Sequence, residues 1–208
     1  LEITVLGNLA IVQGARGRTS EALATHEQVL AEARRFHGEL HPSVALAEGN
    51  LGVQLVKLGR PAEGVPHLEA ALAMHERPVP GDHPATASDL DSVGMGLRAL
   101  RRDADALPRF ERSLDMYQRL LPSTHPRLAA VAQHLADCLV ALGRPADALP
   151  HREAVLAIER ASAPEHGSQS LVLALSNLAL TFDALGRATD ALPYHEEALA
   201  VQLADALL

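Results

Sequence analysis

Five copies of one pattern follow each other at intervals of 42 or 43 residues, and this period constrains the fold more than any other feature of the chain. A Gly-Arg pair marks four copies, at Gly17-Arg18, Gly59-Arg60, Gly143-Arg144 and Gly186-Arg187, with Arg101-Arg102 in the third place. His-Pro pairs keep the same beat at His41-Pro42, His83-Pro84 and His125-Pro126. A fixed period of this size is the mark of a solenoid, whose units bury their apolar faces only against their neighbours. The expectation is one continuous all-α domain over residues 1–208, with repeats at 1–40, 41–82, 83–124, 125–166 and 167–208 and no internal linker. The chain opens on Leu1 at the start of a repeat, without an initiator Met, which reads as a segment of a longer protein.

The second copy shows the physics of each unit. Between Ser43 and Leu58, the residues Val44, Leu51, Leu55 and Leu58 recur with helical spacing. Pro42 suits the first turn of that helix, with His41 at its boundary. Gly59 then offers the left-handed backbone that ends helices. A second helix is predicted over Pro61–Glu76, with Val65, Leu68, Leu72 and Ala73 along one stripe, and Pro78, Pro80, Gly81 and Asp82 close the unit.

The other copies fill the same slots. Leu9, Leu51, Val93, Leu135 and Leu178 occupy the core of the first helix, each followed by a small residue: Ala10, Gly52, Gly94, Ala136 or Ala179. In the second helix Ala22, Gly64, Ala106, Ala148 and Ala191 repeat the small slot, and Leu30, Leu72, Leu114, Leu156 and Leu199 supply the bulk. Small residues at matched positions let paired helices approach closely. Aromatic residues make up only 2 % of the chain, so the core must be assembled from Ala, Leu and Val through many close helix contacts.

Leu-Gly/Ala-x-x-Leu followed by Ala-x-x-x-(large) resembles the tetratricopeptide repeat, and the 42-residue period is similar to its kinesin light chain-like variety. Asn-Leu-Gly/Ala at Asn8, Asn50 and Asn177, and a second-helix proline at Pro66, Pro108, Pro150 and Pro193, strengthen that resemblance. It covers essentially the whole chain and implies an α-solenoid of five helix-turn-helix repeats forming a right-handed superhelical arc. The departures are Ser92 and His134 in place of Asn, Arg101 in place of the turn Gly, and Leu6, Glu48, Leu90, Ala132 and Leu175 where shorter repeats often carry an aromatic residue. A proline near the sixth residue of a helix forfeits one backbone hydrogen bond, and its recurrence at four matching positions reads as a shape device.

Charge and composition exclude several classes of function. The formal net charge of -8 repels a phosphate backbone, so nucleic acid is not an expected partner. No apolar run approaches the ~18 residues of a membrane span. Cys138 is the single cysteine, expected to be a buried, inert thiol, and with no signal-peptide pattern the reading is a cytoplasmic protein.

The eleven histidines form no metal-binding pattern. The His-Pro set is spread one repeat apart, too far for one ion, and the His37/His41 pair lacks an assured third ligand. His26-Glu27 and His195-Glu196 lack the second His of a zinc-protease helix. No Gly-Lys pair exists for a phosphate loop, and Gly94-Met95-Gly96 falls inside a helix. The chain therefore reads as non-enzymatic, without metal or cofactor.

In the family it resembles, first helices line a concave groove. That carries Asn8, Asn50, Ser92, His134 and Asn177 onto a ligand-facing row, flanked by Ile11, Val53, Met95, Asp137 and Leu180, with Lys57 and Arg98 toward its far end. An Asn amide offers both a donor and an acceptor, matching the backbone of an extended peptide of any sequence. The same row could instead bond between neighbouring helices and hold their register. Gly7, Ile11, Asn50, Ser88 and Ser92 occupy the slots of the family's two-carboxylate clamp, which disfavours a chaperone-tail receptor. The resemblance implies a protein–protein interaction scaffold, of a kind common as a recruitment or regulatory region in bacterial signalling proteins. The competing reading is a self-assembly module joined end to end through Leu1, Ile3, Val5 and Leu6 at one end and Val201, Leu203, Leu207 and Leu208 at the other.

Overall fold

A computed structural model describes residues 2–77, 81–162 and 169–205. Among the described residues there are ten helices and no strand: α1 (Glu2–Ala15), α2 (Thr19–His37), α3 (Pro42–Lys57), α4 (Pro61–Glu76), α5 (Pro84–Ala99), α6 (Asp103–Leu120), α7 (Pro126–Ala141), α8 (Pro145–Ser162), α9 (Gln169–Ala184) and α10 (Ala188–Asp205). They fall into two compact units, residues 1–109 and residues 110–208. Within the first, each helix from α1 to α5 packs on the next; within the second, α7 packs on α8, α8 on α9 and α9 on α10.

Local sequence explains where the helices start. His41, His83 and His125 stand at the N-caps of α3, α5 and α7 in extended backbone, with proline following at the first helical position. In each, the ring Nδ1 accepts the backbone N–H two residues on, from Ser43, Ala85 and Arg127, at 3.1 Å. The imidazole lone pair does the work that Ser or Asp usually does at a cap. The His-Pro pairs are thus helix starters, and no group of three or more metal-capable side chains occurs among the described residues. His37 stacks on His41, ring centroids 4.3 Å apart.

Helix ends follow from the Gly-Arg pairs. Gly17, Gly59, Gly143 and Gly186 take φ of 75°, 73°, 72° and 71°, and Arg101 is held at 60° in the third copy. The following arginine closes the turn: Arg60 N–H donates to Leu55 O, Arg102 to Leu97 O and Arg144 to Leu139 O, each at 2.9 Å. Its guanidinium then meets an acid in the next helix's first turn, as in Arg60–Glu63, Arg144–Asp147 and Arg187–Asp190. These pairs are exposed and screened, so they orient the turn more than they stabilise it.

The paired small slots are buried, and in the second copy they are in forced proximity. A Cβ on Gly52 would lie 2.7 Å from Leu68 Cγ, and one on Gly64 would lie 2.7 Å from the Gly52 carbonyl. In the first unit Val29, Leu30 and Ala33 of α2 pack with Val44, Ala47, Leu51 and Leu55 of α3, with Ile3, Leu6, Leu23 and Met74 against them. Cys138 is fully buried.

Three expectations change. Ala73 is exposed, so the α4 stripe runs instead through Val65, Leu68, Ala71 and Leu72. Leu9 and Leu199 fill slots that are buried in the other copies, yet they are 46 % and 56 % exposed. The reason is positional: Leu51 buries itself against the preceding α2, and α1 has no preceding described helix to meet Leu9. Pro66, Pro108, Pro150 and Pro193 lie inside continuous helices. All four are exposed, so the carbonyl each leaves unpaired faces the solvent side of the helix. Leu1, Leu207, Leu208, Pro78 and Pro80 lie outside the described residues.

Candidate functional site

In the first unit the row begins on α1 and α3. Asn8 is exposed, Asn50 is half-buried, and neither side chain makes a hydrogen bond among the described residues. Two adjoining cavities open beside them. One, of about 310 Å³, is lined by Ile11, Asn50, Val53 and Lys57 together with His26 and Gln54. The other, of about 280 Å³, shares Ile11 and Asn50 and adds Asn8, Ser43 and Leu46. Five of the residues expected in the groove are therefore brought together around these openings, with Ile11 57 % exposed and Val53 half-buried.

The polar groups around the larger cavity differ in how far they are satisfied. Gln54 is buried and donates to the Thr19 carbonyl at 3.4 Å. Lys57 is exposed and forms no ion pair among the described residues. His26 is 5 % exposed and its Nδ1 has no hydrogen-bond partner among the described residues. Burial, and secondarily the nearby Lys57 ammonium, hold its ring below the ordinary value. A neutral imidazole thus sits against this cavity.

On α5, Ser92 donates back to the Ser88 carbonyl at 2.9 Å, and Arg98 pairs with Asp103 at 3.2 Å. Met95 is half-buried beside them, and none of the three lines either cavity.

The second unit uses the same slots differently. The His134 ring tilts against Phe110 with centroids 5.8 Å apart. Asp137 accepts from Arg152 at 2.6 Å and from Gln133 at 3.1 Å. Asn177 is half-buried with no side-chain hydrogen bond among the described residues, and Leu180 is 57 % exposed.

Sequence reasoning missed His26 and the role of Glu48. Both carried a signal: His26 stands in the slot of Leu68 and Phe110, and Glu48 in the slot of Leu6, Leu90 and Leu175. The Glu48 side chain is 2 % exposed and is held by Arg34 Nη2 and His67 Nδ1, each at 2.6 Å.

Comparison with known proteins fits this geometry. Tetratricopeptide repeat models match residues 43–119 and 127–204, and a further one matches residues 5–36. A kinesin light chain-type protein of Podosopora anserina with nearly identical TPR-like repeats is 23 % identical, covering 97 % of this chain and 95 % of that one, at a TM-score of 0.84. BtubC (BKLC) from P. vanneervenii is 20 % identical over 97 % of this chain and 80 % of its own, also at 0.84. YrrB, a TPR protein with an unusual peptide-binding site, is 17 % identical over 95 % and 84 %, at 0.63. No curated protein matches the sequence. Hairpins repeating every 42 or 43 residues, their matched small-residue contacts and the repeat models spanning most of the sequence lead to one conclusion: the chain belongs to the tetratricopeptide repeat family.

Proposed function

We propose that the protein is a non-enzymatic interaction scaffold that binds an extended peptide or a segment of a partner protein along the row of first-helix side chains. The observation that carries this reading lies in the first unit, where Asn8 and Asn50 leave their amides unbonded among the described residues. Were the row a device for holding helix register, those amides would bond across to neighbouring helices. Unbonded amides beside cavities of side-chain size suit a peptide instead: its backbone meets the Asn groups while its side chains enter the openings flanked by Ile11 and Val53. A relative of the same fold, YrrB, is described as having a peptide-binding site, which agrees with this reading. Recruitment within a bacterial signalling protein is the setting in which such a scaffold would act.

The test is a peptide array followed by titration of the best binders. Asn50→Ala is expected to weaken binding at least about tenfold, the effect of losing one or two hydrogen bonds from a desolvated contact, with unchanged helicity by circular dichroism. Binding that is indifferent to Asn50 would overturn the groove.

A second reading is favoured by one observation. Val5, Leu9 and Val12 on α1 and Leu199 and Leu203 on α10 are exposed, and Leu9 and Leu199 occupy slots that other copies bury. End-to-end self-association would cover them. Light scattering across a concentration series decides it: a molar mass that stays at 22.1 kDa throughout removes this reading.

A further inference from the structure

The second unit holds a cavity of about 310 Å³ among α6, α7 and α8, lined by Gln118, Ser123, Leu128, Ala132, His151 and Ile158 among others. It is separate from the peptide row. Ala132 and His134 point about 200° apart around α7 at 100° per residue.

The repeat itself explains this cavity. Stepping back 84 residues along the sequence, Gln118, Ala132 and His151 correspond to Arg34, Glu48 and His67. There the Glu48 carboxylate fills the space between the two helices and is gripped by Arg34 and His67 at 2.6 Å each. In the second unit the glutamate has become alanine while the flanking donors persist. Gln118 offers amide N–H groups, Ser123 a hydroxyl and His151 a ring N–H, around the volume that a carboxylate side chain occupies one pair of repeats earlier.

We propose that this cavity is a binding site for a small carboxylic acid with a short apolar tail, whose carboxylate takes the place that Glu48 takes in the first unit, between Gln118 and His151, with its tail against Leu128 and Ile158. The volume exceeds that of a glutamate side chain, and the apolar wall gives the excess a use. Burial lowers the affinity of the His151 ring for a proton, opposed by Glu111 on α6. To this wall α7 contributes only Leu128 and Ala132, neither of which titrates, and α8 contributes no ionisable side chain besides His151. A bound carboxylate reverses the balance by favouring the charged ring, and the proton comes from solvent. No covalent step is involved.

The probe is isovalerate, with isovaleramide as its uncharged isostere, followed by two-dimensional NMR of the whole chain. Isovalerate is expected to shift the Ala132 amide and His151 ring resonances saturably with Kd of about 1 mM, and isovaleramide to bind at least about tenfold more weakly. Ala132→Glu supplies the carboxylate from within, and should abolish the response while moving the His151 ring toward its protonated shift. Should that variant fail to fold, Ala132→Leu places in the slot the residue found there as Leu90 and Leu175, and must also abolish binding. Equal binding of acid and amide, no saturable response to isovalerate, or unchanged binding in a folded Ala132 variant would each overturn the site.

Discussion

The two units fill one pair of matching repeat slots in contrasting ways. In the first, Ile11 and Val53 line a cavity with His26, whose Nδ1 has no hydrogen-bond partner among the described residues, and Asn8 and Asn50 keep their amides unbonded there beside two cavities. In the second, the slot of Ile11 and Val53 becomes Asp137 and the slot of His26 becomes Arg152, and the two close on each other at 2.6 Å. His134, in the slot of Asn8 and Asn50, lies against Phe110 rather than standing open. A charge placed in a buried repeat slot needs a countercharge on the adjoining helix, and supplying one from within uses up a side chain that could otherwise meet a ligand. At these slots the first unit leaves side chains open where the second ties them to one another.

The largest effect should come from breaking that reinforcement. Arg152 is 5 % exposed, and its Nε and Nη1 already lack partners among the described residues. Asp137→Ala strips the guanidinium of its carboxylate and is expected to cost about 3–5 kcal/mol, read from urea denaturation. The double variant Asp137→Val, Arg152→Leu installs the residues the second copy uses, Val53 and Leu68, and should recover most or all of that loss. A single variant as stable as the parent would show that the pair is not what holds this part of the unit, and the contrast between the units would fall with it.

What could be read beforehand divides along physical lines. Helices α3 and α4 were legible almost to the residue because proline, glycine and apolar spacing act locally, within one turn of the residues that carry them. The histidine caps were not, since a lone pair turned back onto the Ser43, Ala85 or Arg127 N–H depends on a rotamer rather than a spacing. The row was legible as positions but not as states. Asn50 and Asp137 were named on equal terms, and only packing reveals that one is open while the other is tied to a residue fifteen positions away. Glu48 was visible as a departure from leucine, but its partners lie on α2 and α4, and no single-helix periodicity reports across that distance.

A smaller effect tests where the first unit departs from its own repeat at a turn. Arg101 holds φ of 60° where the other four copies use glycine, while keeping the same backbone bonds, Arg101 N–H to Arg98 O and Arg102 N–H to Leu97 O. The strain of a left-handed side-chain-bearing residue is about 1 kcal/mol, partly offset by the extra freedom that glycine gives the unfolded chain. Arg101→Gly should therefore raise stability by up to about 1 kcal/mol, visible as a shift in thermal midpoint. A lower midpoint would mean that the exposed Arg101 side chain does something the turn geometry does not reveal.

The smallest expected effect concerns His26, whose buried ring Nδ1 has no hydrogen-bond partner among the described residues of the first unit. Its folded-state proton affinity is depressed below the ordinary value of 6.5, first by burial and then by Lys57. The unfolded chain therefore takes up a proton at this residue near pH 6.5, before the folded chain does. Over that interval the unfolded state binds more protons, so acid favours unfolding: the contribution is fully present above pH 6.5 and is lost as the pH falls through the folded value. His151, also depressed by burial, adds to the same slope from the second unit. His26→Leu, which copies Leu68, should flatten the stability profile between about pH 7.5 and 5.5 without abolishing it, because His151 remains. An unchanged slope would mean that His26 reaches solvent or a partner on protonation, and the first unit would then have no unmatched buried group to set against the Asp137–Arg152 pair of the second.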